Sequence, residues 1–280
     1  DNSQGFTIWG NWGPFAAANY NMGWHSKGGY DRTFGTNAKA WDWCSVNNAG
    51  FEYYQNAKKD GIGLPPHNPR IWVFRHQSNA SCAPRLRRVW HPIGYSSNSG
   101  WSNFFINITA GRLLTYTNTL LKFALPDIVI GTGGGYNTYD IYESVNHELS
   151  HASHFNKVGS AFWAKYVNYI ITYGKKYDHP YGDASCNNSG FCGVGEMWGY
   201  AMGYIRTYEK YQQKPKNGQS KWFQPNLLYD LMTEKILTKK QIFDCLSSDV
   251  TSHALLKQKM ISRYPSKKDS IIAKFSRYGF

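Results

Sequence analysis

The chain has 280 residues, ample for one large domain or two lobes sharing a core and far beyond a miniprotein held together by disulfides. Hydrophobic residues make up 41%, and no stretch approaches the roughly 20 uninterrupted apolar residues of a membrane span, while 17% aromatic content argues against disorder. Thirty-one Lys and Arg against 18 Asp and Glu leave a net charge of +13, but the cations are scattered, with short clusters such as Arg85, Arg87 and Arg88, so no nucleic-acid partner is expected and the basic residues read as a solvated exterior.

Residues 1–40 are rich in Gly, Asn and Trp without clear periodicity and read as loops and short strands. Residues 49–59 pattern as a helix, and after a Gly- and Pro-rich breaker Ile71-Trp72-Val73-Phe74 reads as a buried strand. A helix is expected over 112–124, stopped by Pro126, followed by the strand Asp127-Ile128-Val129-Ile130 and a Gly-rich turn. A helix then opens with Thr138 or Asp140 as its N-cap and runs to about 155. Beyond it the pattern is helical: 161–173, 194–211, 226–235, a helix opened by the Thr238/Gln241 capping box, and 252–263. The expected fold class is α+β, with an α/β N-terminal lobe (1–155) carrying a twisted sheet and a helical C-terminal lobe (156–280), the two making one catalytic unit.

Of the five cysteines, Cys186 and Cys192 bracket a short polar loop and would make a local disulfide in an oxidising compartment, leaving an odd cysteine unpaired. The aromatic, Gly-rich composition resembles that of secreted or cell-surface proteins. The start at Asp1, without Met or an apolar leader, reads as a mature or trimmed form.

The chemistry sits in the helix at 138–155. Residues 147–151 read His-Glu-Leu-Ser-His. At about 100° per residue His147 and His151 stack on one face one turn apart, so both imidazoles reach one ion, and Glu148 projects beside them toward a metal-bound water. The bland alternative is a helix with two surface histidines, which would leave the polar face of an amphipathic segment solvated to no purpose. Asn146, Ser150, Ala152 and Ser153 are short and permit close packing around a buried site. A catalytic zinc takes three protein ligands and keeps one open position. His154 reads as a packing residue or one that orients a ligand; a metzincin would need Gly there and His at 157, where Lys157 stands.

Only Glu196, Glu209 and Glu234 follow the motif. Glu209 and Glu234 stand among charged neighbours and read as surface residues. Glu196 shares a helix face with Gly199, Tyr200 and Gly203, and glycine inside a helix costs about 1 kcal/mol, so two of them beside Glu196 suggest close approach of a second helix. Glu196 is the expected third ligand; otherwise it is an N-terminal-turn glutamate favoured by the helix dipole.

His-Glu-Leu-Ser-His-Ala followed by a helix-borne Gly-Glu-x-x-Gly resembles the gluzincin zinc metallopeptidases, the group containing thermolysin. The resemblance covers two helical stretches between about residues 138 and 210. It implies a zincin-like two-lobe architecture, Zn2+ held by His147, His151 and Glu196, Glu148 as general base, and a protein or peptide substrate. The sequence departs from thermolysin in a longer spacing from His151 to Glu196 and in Tyr200, which stands where the family has an acid that steadies a zinc histidine. Asp183 or a backbone carbonyl would then take that role. An oxyanion needs a further proton donor, for which Tyr177, His179 and Tyr181 on the loop before Glu196, or Tyr200 on its face, are the candidates. The resemblance also implies substrate pairing along the strand near 127–131. A competing expectation is a non-catalytic surface module on the same scaffold, binding a glycan or glycoprotein through Trp9, Trp12, Trp24, Trp41 or Trp43; an intact Glu148 beside the ligand set favours the enzyme.

Overall fold

A computed structural model of the chain describes residues 3–10, 32–75, 127–133, 135–177, 181–215 and 221–280. The expected helix at 112–124 lies outside them. Three short strands, β1 (Thr7–Trp9), β2 (Arg70–Phe74) and β3 (Ile128–Gly131), form a parallel sheet in that order, with Thr7 opposite Arg70 and Ile71 opposite Ile128. β2 alternates, burying Ile71 and Val73, whereas all four residues of β3 are buried. An unbroken apolar run between Pro126 and a Gly-rich turn has no polar face to leave in water.

Helix α1 (Lys39–Asp60) connects β1 to β2. It begins at Lys39 rather than at 49, and the reason is tertiary. Arg75, just past β2, donates from Nε to the buried Asp42 at 2.8 Å and from its terminal guanidinium nitrogens to the carbonyls of Thr36, Asn37 and Ala38, fixing the start of a helix that has no side-chain cap.

Helix α2 (Thr138–Tyr177) joins both expected helices across a break at Gly159, whose φ of 81° and ψ of 177° belong to a region essentially reserved for glycine. Helix α3 (Ser189–Tyr211) starts five residues before the expected 194. Its first turns are glycine-rich and score poorly alone, but a Cβ on Gly190 would lie 2.0 Å from the Thr251 carbonyl and one on Gly193 2.7 Å from His253, so these glycines seat the turn against the 251–253 segment.

Four C-terminal helices complete the chain: α4 (Asn226–Thr233), α5 (Lys239–Cys245), α6 (His253–Arg263) and α7 (Lys268–Arg277), the last entered through a 3-10 turn at Pro265–Lys267. The Thr238/Gln241 capping box forms in both directions, and Ser252 caps α6 by accepting from the Leu255 N–H. α7 was not expected, although Ile271 and Phe275, one turn apart and both buried, carry its signal.

The fold is therefore mixed, mainly helical with a small parallel sheet. Its larger core takes residues from Phe6 to Phe275 and so draws on both sides of the boundary expected at 155; a smaller cluster gathers the second half of α2 with Cys186, Phe191 and Cys192. Among the described residues α2 and α3 share the most extensive helix contact, and that contact positions the site.

Candidate metal centre

His147 and His151 meet as the helical spacing requires, with their Nε2 atoms 2.9 Å apart. Glu196 arrives from α3, placing Oε2 3.6 Å from His147 Nε2 and Oε1 3.6 Å from His151 Nε2. Tetrahedral zinc with bonds of about 2.0–2.1 Å separates its ligand atoms by about 3.3 Å, so these three donors already stand near that spacing. Glu148 is buried beside them, its carboxylate within 4.8 Å of a ring nitrogen on each histidine.

The two glycines on the Glu196 face create the approach. A Cβ on Gly199 would sit 2.7 Å from Cε1 and Nε2 of His151, and one on Gly203 would sit 3.1 Å from the Glu143 carbonyl and 3.4 Å from Cβ of His147. Short residues on α2 close the packing: Trp198 Nε1 donates to the Ser150 carbonyl, and the Ser153 hydroxyl lies 2.7 Å from that of Tyr53.

Burial alone would push the Glu196 carboxyl up, but the charge and hydrogen bond of His151, helped by His147 and Tyr166, outweigh it and hold the carboxyl below its usual range. Burial, then repulsion from His151, pushes His147 down to about 3 against the pull of Glu196. His151 moves the other way: burial lowers it, yet the Glu196 charge and hydrogen bond, with the Glu148 charge, raise it overall. The two ring nitrogens lie 2.9 Å apart, so one of them donates and the other accepts. A divalent cation fits between these nitrogens and Glu196 Oε2, a buried oxygen without a hydrogen-bond partner among the described residues. Two imidazoles and a carboxylate are a zinc donor set.

Tyr166 is a site residue that the sequence did not suggest. Its hydroxyl donates to Glu196 Oε1, and burial together with the Glu196 charge pushes its pKa well up, so the proton stays on the phenol. Nothing local marks one tyrosine among 21; Tyr166 reaches Glu196 from the far side of the Gly159 break.

Of the four expected proton donors, Tyr200 and Tyr181 come together. The Tyr200 ring packs edge-on to His147 with centroids 4.3 Å apart, and its hydroxyl lies 2.9 Å from that of Tyr181. Burial raises both phenols. His179 and the Tyr177 side chain lie outside the described residues. Lys221, which sequence reasoning also missed, places Nζ 4.5 Å from the Tyr200 ring and 5.0 Å from that of Tyr181.

His154 is a packing histidine, buried against the edges of Phe162 and Trp163, and burial pushes it down to about 3. The Asp183 carboxylate accepts from the Ser185 N–H and hydroxyl at 2.8 and 2.5 Å, within the turn before α3. Cys186 and Cys192 are both buried and carry free thiols, so the expected local disulfide is absent from this structure. Trp41 and Trp43 pack against the core, and Trp9 is half-buried with the Arg70 guanidinium 5.2 Å over its ring; Trp12 and Trp24 lie outside the described residues. β3 pairs with one strand only among the described residues, but no residue of it is exposed. No helix among the described residues is long and apolar enough to cross a membrane. No family model, no curated protein and no solved structure matches the chain.

Proposed function

We propose that the chain is a zinc metallopeptidase of the gluzincin type, hydrolysing peptide bonds outside the cytoplasm within a two-lobed zincin-like frame. The observation that carries this reading is the convergence of His147 Nε2, His151 Nε2 and the Glu196 carboxylate to within 3.6 Å, from two helices that glycines bring together. The placement outside the cytoplasm rests on composition alone.

His147, His151 and Glu196 would hold the ion, and Tyr166 fixes the Glu196 carboxylate by donating to Oε1. Bound zinc lowers the pKa of a water toward about 7 and polarises a scissile carbonyl. Glu148 stands beside the histidines as the base: its carboxylate takes the proton from the attacking water and passes it to the leaving amine. The Tyr181 and Tyr200 hydroxyls share one hydrogen bond, so one phenolic proton engages the partner oxygen and the other is left to donate to a developing oxyanion. Burial of Glu148 and Glu196 keeps competing water from both carboxylates.

Metal analysis of the purified protein beside Glu196→Ala, with peptide hydrolysis by Glu148→Gln, tests the proposal. The expected result is about one zinc per chain, lost or greatly weakened on removing Glu196, and hydrolysis reduced about 10²–10⁴-fold by Glu148→Gln with zinc retained. Wild-type protein that neither contains nor takes up zinc overturns it, as does hydrolysis indifferent to Glu148→Gln.

A further inference from the structure

Lys221 is half-buried immediately before a turn closed by the Gln224 N–H on the Lys221 carbonyl, 2.9 Å away. Its Nζ faces three aromatic rings, with centroids at 4.5 Å (Tyr200), 5.0 Å (Tyr181) and 5.9 Å (Phe223), and it forms no ion pair among the described residues. Other lysines drawn toward the interior meet oxygens: Lys239 meets Asp60 and Glu209, Lys274 meets Asp230 and Glu234, and Lys157 and Lys257 donate to the carbonyls of Phe243 and Phe280. Aromatic faces stabilise an ammonium only in part and cannot accept its N–H bonds as oxygens do. Burial lowers the pKa of this ammonium and only the Glu196 charge, acting without a direct ion pair, pulls the other way, so a carboxylate in direct contact would satisfy a cation that the protein leaves on aromatic faces.

Its position says where that anion belongs. The Tyr200 ring that carries Lys221 at 4.5 Å also packs against His147 at 4.3 Å, so the ammonium stands one aromatic ring away from the histidine cluster. The carboxylates at the centre, Glu148 and Glu196, are both buried there.

We propose that Lys221 recognises a carboxylate of the bound ligand, giving the site a preference for peptides with an acidic group close to the bond presented to His147, His151 and Glu196. The carboxylate comes either from an Asp or Glu side chain or from the free C-terminus of a short peptide. The substrate class rests on the metallopeptidase reading above, whereas the carboxylate preference is a binding property and is read without turnover.

The experiment uses zinc-loaded Glu148→Gln protein and matched hexapeptide mixtures amidated at the C-terminus, differing in one fixed residue that is Glu, Gln or Lys, plus the Gln mixture with a free C-terminal carboxylate. Binding is followed by tryptophan fluorescence, with Trp222 adjacent to the site. Either the Glu mixture or the free-carboxylate mixture is expected to bind at least about tenfold more tightly than the amidated Gln mixture, and which one does so identifies the source. Adding Lys221→Met should reduce that ratio to below about twofold, while Lys221→Arg, which keeps the charge, should preserve it. Equal binding of all mixtures, or a preference that survives Lys221→Met, overturns the proposal. Wild-type hydrolysis without charge preference refutes the role of Lys221 and leaves the peptidase reading standing; carboxylate preference without hydrolysis by wild-type protein does the reverse.

Discussion

Tyr166 shows how one hydroxyl controls a charged site. Glu196 is buried with one oxygen toward each imidazole, and Tyr166 donates to Oε1, the oxygen that also faces His151, so the carboxylate is held in a single orientation. Tyr166→Phe removes one oxygen and leaves Oε1 of a buried carboxylate short of a donor. Partners of this kind commonly change metal affinity 10–100-fold, so zinc affinity measured by competition with a chelator should weaken by about that factor while circular dichroism stays unchanged. Undiminished affinity would show that the histidines alone orient Glu196. At the same scale the sequence was legible for His147, Glu148 and His151, because a helix fixes the relation between i and i+4 whatever surrounds it. Tyr166 and Lys221 were not legible, because their roles depend on long-range placement.

The decisive relation between elements is the contact of α2 with α3. Gly199→Ala improves helix propensity by up to about 1 kcal/mol. It also drives a methyl to 2.7 Å from the buried His151 ring, and overpacking of that kind costs about 1–3 kcal/mol. The clash should win, lowering the urea midpoint of the zinc-free protein and weakening zinc binding. Gly195→Ala is the control: its methyl would meet Tyr166 at 3.6 Å, an ordinary contact, so propensity should dominate and stability should hold or rise. Equal effects at the two positions would refute the close-approach argument. Glycine spacing on the Glu196 face made this contact readable in advance. The early starts of α1 and α3 were unreadable, since Arg75 fixes the first and the 251–253 segment receives the second.

Across the whole molecule, acid stability offers a check on how the C-terminal helices are seated. His253 stacks on Phe280 with centroids 4.0 Å apart, and burial pushes it down to about 4. An unfolded histidine titrates near 6.5, so below that pH the unfolded chain binds a proton that the native one refuses. His253 therefore contributes full stability above about pH 6.5 and loses it as the pH falls toward 4, a change on the order of 3 kcal/mol. His253→Phe keeps the stacking and abolishes the titration, so its Tm should fall less than that of wild type between pH 7 and 4.5. Parallel declines would mean that His253 protonates without resistance.

The sequence by itself determined the histidine pair and its glutamate, strands at 71–74 and 127–130 that the structure places within one residue, at 70–74 and 128–131, and the capped start at Thr238, all of which rest on interactions within a few residues. It also selected Glu196, through glycines that only a neighbouring helix explains. Only the tertiary structure decided that Glu196 reaches both histidines, that Tyr166 holds it, that Lys221 faces aromatic rings rather than a carboxylate, and that α1 begins at Lys39. Those facts join residues tens of positions apart, and the periodicity of a single helix or strand carries no information about which distant side chain will complete its contacts.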